Sequence, residues 1–253
     1  MPALNEEANL EPAVLSVLSA LNSLRIKGEI VLINDGSQDN TGKIADKLKV
    51  AHPNILVIHH KENQGIGFSF WEGSKQSRGD VVVMLPGDGE NEPEEILRYL
   101  PLLSEVDIVI PFVYNKETRT FYRRTLSIIY KAIINLSFGM LLNYMNGTVM
   151  YRRSALLSLS LRSAGFFYQT ELLIKAIRFG YLYAEVPYAI KSRPSGTSKA
   201  VSLYSLVKLS KDYLKALSSV YFETASTGKG FPSDTVTYQR KNHTETKSQR
   251  KVV

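Results

Sequence analysis

Glu29-Ile30-Val31-Leu32-Ile33-Asn34-Asp35-Gly36-Ser37 is the stretch on which the reading of this chain turns. Four consecutive apolar residues, two of them β-branched isoleucines, suit a strand covered on both faces, and Asn34-Asp35-Gly36 ends it with turn chemistry. The same alternation repeats on either side. Before it, Leu10, Val14, Val17, Leu18 and Leu21 fall on one helix face, with Asn5 or Asn9 available as a cap. After it come a helix to about Lys49, the strand Ile55–Ile58, and the turn Asn63-Gln64-Gly65-Ile66-Gly67, which opens a helix to about Ser77. Val81–Leu85 is the next strand and runs into Pro86-Gly87-Asp88-Gly89-Glu90; a helix over Pro93–Leu103 and a strand over Asp107–Ile110 follow. Unbroken apolar strands alternating with helices predict an α/β, Rossmann-like fold with a mostly parallel sheet flanked by helices. The helix at Leu10 begins so early that the first, central strand of such a sheet is expected to be missing. Ligands of these sheets bind beyond the carboxyl ends of the strands, where Asn34-Asp35 and Asp88-Gly89-Glu90 both fall.

Composition narrows the class. With 253 residues, 44% of them hydrophobic and 22% charged, the chain is neither disordered throughout, nor collagen-like, nor a polytopic membrane protein. Having no cysteine, it has no thiolate metal site and no cysteine nucleophile. The net charge is +7, much of it in the Ser-, Thr- and Lys-rich residues 223–253, which are expected to form a disordered basic tail behind one domain over 1–222. No nucleic-acid module is recognised, so anionic lipid or phosphorylated substrates account better for the charge. No signal peptide is read at Met1, and no run reaches the ~20 apolar residues of a membrane span. His52, His59, His60 and His243 lack metal-ligand spacing and receive no role.

Several motifs, taken in order, resemble the family 2 glycosyltransferases: Pro2-Ala3-Leu4-Asn5-Glu6-Glu7, Asn34-Asp35-Gly36-Ser37 with Asp39 and Thr41, and Asp88 ahead of Glu94-Glu95. Asn146-Gly147 leading to Tyr151-Arg152-Arg153, Gln169-Thr170-Glu171-Leu172, Ala184-Glu185-Val186-Pro187 and Arg193-Pro194-Ser195-Gly196-Thr197-Ser198-Lys199 are similar to the dolichyl-phosphate mannose synthase branch. The resemblance implies a GT-A fold, a nucleotide-sugar donor, Mg²⁺ or Mn²⁺, and a polyprenyl phosphate acceptor. This chain departs from the pattern at Asn34, where an Asp is usual, and at Pro86, which replaces the first acid of an Asp-x-Asp.

By position, the resemblance assigns Pro2, Ala3, Leu4, Asn5, Glu6, Asn34, Asp35, Gly87 and Asp88 to the nucleotide sugar, and Asp88 with Glu90 to the metal. Two carboxylates two residues apart in a loop can both reach one hard cation, which would offset charge on the departing nucleotide. A phosphate acceptor is already an anion and needs cations rather than a base. Arg123 with Ser127 and Arg193 with Lys199 are the residues carried over for it. A hydroxyl acceptor would need a carboxylate base, for which Glu171 is the candidate; otherwise Glu171 orients other groups. The apolar, aromatic stretch Phe121–Met145 and the basic, amphipathic Val201–Phe222 suit either a membrane surface or packing on the core. The expected activity is inverting transfer of a hexose from a UDP- or GDP-sugar to a polyprenyl phosphate in cell-envelope glycan synthesis, at the cytosolic face of a membrane. The alternatives are a saccharide hydroxyl acceptor for cell-surface polysaccharide, or a catalytically impaired nucleotide-sugar binding or scaffold protein.

Overall fold

The computed structural model describes residues 1–115, 121–145, 147–189, 210–218 and 230–249. Helix α1 (Leu10–Ser23) buries Leu10, Ala13, Val14, Val17 and Ala20, the stripe that its periodicity predicts. Strand β2 (Ile30–Asn34) is buried at every residue, whereas β3 (Ile55–His59) alternates between buried and exposed positions, as befits the outer strand of its sheet. Helices α2 (Thr41–Ala51) and α3 (Ile66–Gln76) make the crossovers on either side of β3.

The expectation of a missing first strand is corrected by β1 (Pro2–Ala3), which pairs in parallel with Ile33 and Asn34. The Met1 amine donates to the Val31 carbonyl at 2.7 Å, Ile33 N–H donates to Met1 O at 2.9 Å, and Asp35 N–H donates to Ala3 O at 2.9 Å. Two residues suffice because the flanking Met1 and Asp35 backbone groups extend the pairing on either side.

The second sheet has the order β4 (Val81–Val83), β6 (Met150–Arg152), β5 (Ile108–Val113), β7 (Tyr183–Tyr188). Strand β6 runs antiparallel to both neighbours, and β5 and β7 are parallel. Gly87 N–H donates to Pro2 O at 3.0 Å, so the chain just past β4 rejoins β1 and links the two sheets. Around this second sheet lie α4 (Pro93–Leu97), a 3₁₀ turn (Leu100–Ser104), α5 (Phe121–Phe138), α6 (Arg153–Ser158) and α7 (Tyr168–Phe179). One apolar cluster joins α1 to β2, β3 and β5; the other joins α5, α6 and α7 to the opposite side. Gly180, at φ +98°, ends α7 in the left-handed conformation that favours glycine.

Residues 210–218 form a helix, α8, whose Tyr213, Ala216 and Leu217 pack on the α5–α7 cluster. Leu214, on the same helix, is 60% exposed. The expected disorder of 223–253 is corrected over the part described. Residues 230–235 lead into α9 (Val236–Gln249), and Thr235, Val236 and Thr237 are buried. What anchors this segment is the fully buried Asp107, just before β5. Its carboxylate accepts Val236 N–H at 2.8 Å, Thr237 N–H at 3.0 Å, the Thr237 hydroxyl, and Arg152 Nε–H at 3.2 Å. Phe231 adds edge contacts to Phe179 and Tyr181.

Candidate active site

Loops from both sheets gather at the carboxyl ends of the strands. The loop after β1 and the loop after β2 are laced together by hydrogen bonds. Asn5, at φ +53°, accepts Gln38 N–H on Oδ1 at 2.8 Å, and its own N–H donates to Ser37 Oγ at 3.0 Å. Glu6 N–H donates to Thr41 Oγ1 at 2.8 Å, and Glu7 Oε2 accepts Asn40 N–H at 3.0 Å. Asp39 accepts from Glu7 N–H and from Thr41 through both backbone and hydroxyl. Partial burial works to raise the Asp39 pKa, but the Thr41 and backbone hydrogen bonds outweigh it and hold the carboxyl below its ordinary value.

Asn34 and Asp35 are both buried, and their side chains are engaged within the fold. Asn34 Oδ1 accepts Ser37 N–H at 3.2 Å, while its Nδ2 meets His59 Nδ1 at 3.0 Å. Asp35 Oδ1 accepts Gln64 N–H at 2.9 Å and Oδ2 accepts Gly65 N–H at 2.9 Å, so one carboxylate ties the end of β2 to the turn that opens α3. Pro2 and Ala3 are likewise buried in the sheet, leaving Leu4, Asn5 and Glu6 as the part of that motif in the loop beyond it.

That turn meets a second one. Gly67 N–H donates to Ala164 O at 2.8 Å, and Gly65 (φ +98°) lies so close that a Cβ would stand 2.5 Å from the same oxygen. The 162–164 loop is held in turn by Glu171 in the first turn of α7. Glu171 Oε1 accepts Arg162 N–H at 3.1 Å and Lys175 Nζ at 2.5 Å, and Oε2 accepts Ser163 N–H at 2.8 Å. The carboxylate is buried, and these partners all belong to its own helix and the 162–163 backbone.

Asp88 and Glu90 occupy the turn past β4, half-buried, with Glu90 N–H donating to Asp88 Oδ1 at 3.1 Å. Gly89 takes φ +71° in open space. Gly87 is pressed against β1, where an added Cβ would lie 3.1 Å from Leu10 and 3.2 Å from Ala3. The turn is thereby fixed beside the first-strand motif, with Gly87 against Pro2 and Ala3 and Asp88 the next residue along. Among the described residues no group of three His, Cys, Asp or Glu could hold an ion by protein ligands alone. Two turn carboxylates suit a Mg²⁺ or Mn²⁺ that completes its shell with water and substrate oxygens, as Mg²⁺ commonly does.

Ser127 is half-buried on α5; the side chain of Arg123, and Arg193 and Lys199 altogether, lie outside the described residues. One residue given no role from sequence joins the end of β2 to α3. His60, just past β3, places Nδ1 at 2.7 Å from Asp35 Oδ1 and Nε2 at 2.6 Å from Glu72 Oε2, its ring edge against Phe68.

Residues 1–159 match glycosyl transferase family 2, a span that holds the loops after β1, β2, β3 and β4. The chain belongs to that family. This family 2 glycosyltransferase is 30% identical over 212 residues to the polyprenol monophosphomannose synthase of Mycolicibacterium smegmatis, a match covering 79% of this chain and 78% of that one. It is 28% identical over 224 residues to an undecaprenyl-phosphate 4-deoxy-4-formamido-L-arabinose transferase of Proteus mirabilis, covering 87% and 67%. To the dolichol-phosphate mannosyltransferase of Pyrococcus furiosus it is 29% identical over 207 residues, spanning 79% of this chain but only 57% of that enzyme. The structure of glucosyl-3-phosphoglycerate synthase from Mycobacterium tuberculosis with Mn²⁺, UDP-glucose and phosphoglyceric acid superposes with a TM-score of 0.62 at 22% identity, covering 86% of this chain and 76% of that one. At that identity the likeness speaks for the fold, a GT-A-like α/β arrangement.

Proposed function

We propose that this glycosyltransferase moves a hexose, with inversion, from a UDP- or GDP-sugar to a polyprenyl phosphate at the cytosolic face of a membrane. The observation that carries the choice of acceptor is the placement of Glu171. A hydroxyl acceptor requires a base, and the carboxylate best suited to that work is enclosed by Arg162 N–H, Ser163 N–H and Lys175. A phosphate acceptor is ionised at neutral pH and needs none. The acceptors named for the Mycolicibacterium, Proteus and Pyrococcus relatives, all polyprenyl lipids, support the same choice.

In this reading the loops after β1, β2 and β3 receive the nucleotide, with Leu4, Asn5 and Glu6 contributing from the first. Asp88 and Glu90 would hold Mg²⁺ or Mn²⁺; bound there, the ion supplies positive charge against the diphosphate. Gly87 sets the position of that turn through its bond to Pro2. Arg123, Ser127, Arg193 and Lys199 remain the proposed ligands of the acceptor phosphate. Membrane contact is assigned to Ile129, Ile133 and Leu136 of α5, at i, i+4 and i+7, with Leu141 just beyond. Leu136 and Leu141 are 85% and 88% exposed. Such a stripe suits an interfacial helix, and no described helix is long and apolar enough to cross a membrane.

The test incubates purified protein with labelled UDP- and GDP-hexoses, Mg²⁺ or Mn²⁺, and polyprenyl phosphate in liposomes. Label in the organic phase, lost with Asp88→Ala, is the expected result. Label on added saccharide alone would transfer the assignment to a hydroxyl acceptor, and nucleotide-sugar binding without turnover would make the chain a binding protein.

A further inference from the structure

His60 has a geometry that, with both facing carboxylates ionised, only the imidazolium satisfies. Its two ring nitrogens face carboxylate oxygens at 2.7 Å and 2.6 Å, from Asp35 at the end of β2 and Glu72 on α3. A neutral imidazole carries one N–H, so one nitrogen would present a lone pair to an anionic acceptor at contact distance. The imidazolium donates to both. The side chain is 8% exposed, and Asp35 and Glu72 are the charged groups acting on it. Burial disfavours the charge, but the two hydrogen bonds and the two negative partners outweigh it and raise the His60 pKa above its ordinary value.

The Asp35 oxygen that meets His60 also accepts Gln64 N–H, while the other accepts Gly65 N–H. Asp35 thus ties the turn between β3 and α3 to the end of β2, and His60 is the side chain that meets the same carboxylate. Gly65 and Gly67 abut the Ser163–Ala164 loop, and Gly36 abuts the backbone of Glu62 and Asn63, so no slack is available to absorb a shift of this turn. We infer that His60 is a positioning residue of the nucleotide site: as an imidazolium it clamps Asp35 against Glu72 and sets the loops that receive the donor, and on losing its proton it releases them. The device makes donor affinity fall as pH rises, and it rests on the proposed reading of these loops as the nucleotide site.

Binding of UDP-glucose and GDP-mannose with Mg²⁺, whose diphosphates do not titrate near neutrality, is to be measured by calorimetry from pH 6 to 9. For wild-type protein the apparent Kd rises as the competent fraction falls, by about tenfold or more across the range. Glu72→Gln removes one of the two anions and moves the midpoint down by about one pH unit. His60→Arg keeps a permanent cation and flattens the curve. The wild-type and Glu72→Gln curves suffice should the arginine not be accommodated. A wild-type affinity that is independent of pH, or one curve shared by wild type and Glu72→Gln, overturns the role of His60 alone. Absence of nucleotide-sugar binding at every pH overturns the nucleotide reading itself and this inference with it.

Discussion

Replacing Glu171 by glutamine separates a loop clamp from a catalytic base. The carboxylate serves three donors with two oxygens: Arg162 N–H and Lys175 Nζ on one, Ser163 N–H on the other. An amide keeps a single oxygen, so either orientation turns an NH₂ toward at least one of these donors. The lost charge-assisted bond is worth roughly 1.5–3 kcal/mol. The side chains of Glu171 and Lys175 are 4% and 15% exposed in this ion pair, and breaking a buried pair costs up to about 3–5 kcal/mol. A working figure of about 3 kcal/mol lowers the Tm of a chain this long by roughly 6–12 °C. On the proposed reading, in which Glu171 acts on a loop and not on substrate, kcat measured well below the transition should stay within about tenfold of wild type, whereas removal of a general base costs about 10²- to 10⁴-fold. Differential scanning calorimetry and steady-state kinetics on the same preparation read both quantities. A Tm within about 2 °C of wild type together with a kcat reduced about a hundredfold or more, by the same estimates, would refute the clamp.

The remaining predictions concern the seams that position the site. Gly67→Ala brings a Cβ against the Ser163 carbonyl and within 2.7 Å of Tyr168 Cβ, so about 1–3 kcal/mol should be lost and seen as a lower urea midpoint. Asp107→Ala strands Arg152 and the first N–H groups of α9. A loss of about 3–5 kcal/mol is expected, with amide exchange over 235–243 accelerating; unchanged protection there would mean that Asp107 does not anchor the segment. Since the folded-state pKa of His60 is raised, its contribution to stability is complete below the unfolded value of about 6.5 and declines as pH rises through the folded one. The Tm advantage of wild type over His60→Gln should therefore shrink between pH 6 and pH 9; an advantage that widens with pH would contradict it.

What the sequence disclosed were features whose causes are local. The α1 stripe and the apolar run of β2 follow from periodicity, and Asp35 and Asp88 lie at strand ends because turn residues follow apolar ones. What it concealed depends on partners far along the chain. His60 meets Asp35 and Glu72 across separations of 25 and 12 residues, pairings that only the βαβ crossover produces. Strand β6 has three residues and no marking of its own, and β1 has two, both below the length at which an apolar pattern shows. Residues 230–243 read as a solvated tail because much of their docking is by hydrogen bonds to one buried aspartate 129 residues away, with Phe231 and Val236 the few apolar residues that join in.

The division of labour among the acids follows from how many backbone donors each one meets. Asp35 and Glu171 each accept two main-chain N–H groups and a cationic or ring partner, and at 4% and 3% exposure their lone pairs are directed inward. Saturated in this way, a carboxylate has little capacity left for a metal ion or a proton in transit, and its work is to fix loops. Asp88 and Glu90 stand differently, half-buried in a turn that opens to space at Gly89 and is tethered to β1 at Gly87. In the proposed function these two would hold the divalent ion, in a turn whose position Gly87 fixes in spite of Pro86. On that reading the acids that fix loops and the acids that would bind the ion are different residues, so their substitutions should separate in stability and in metal dependence.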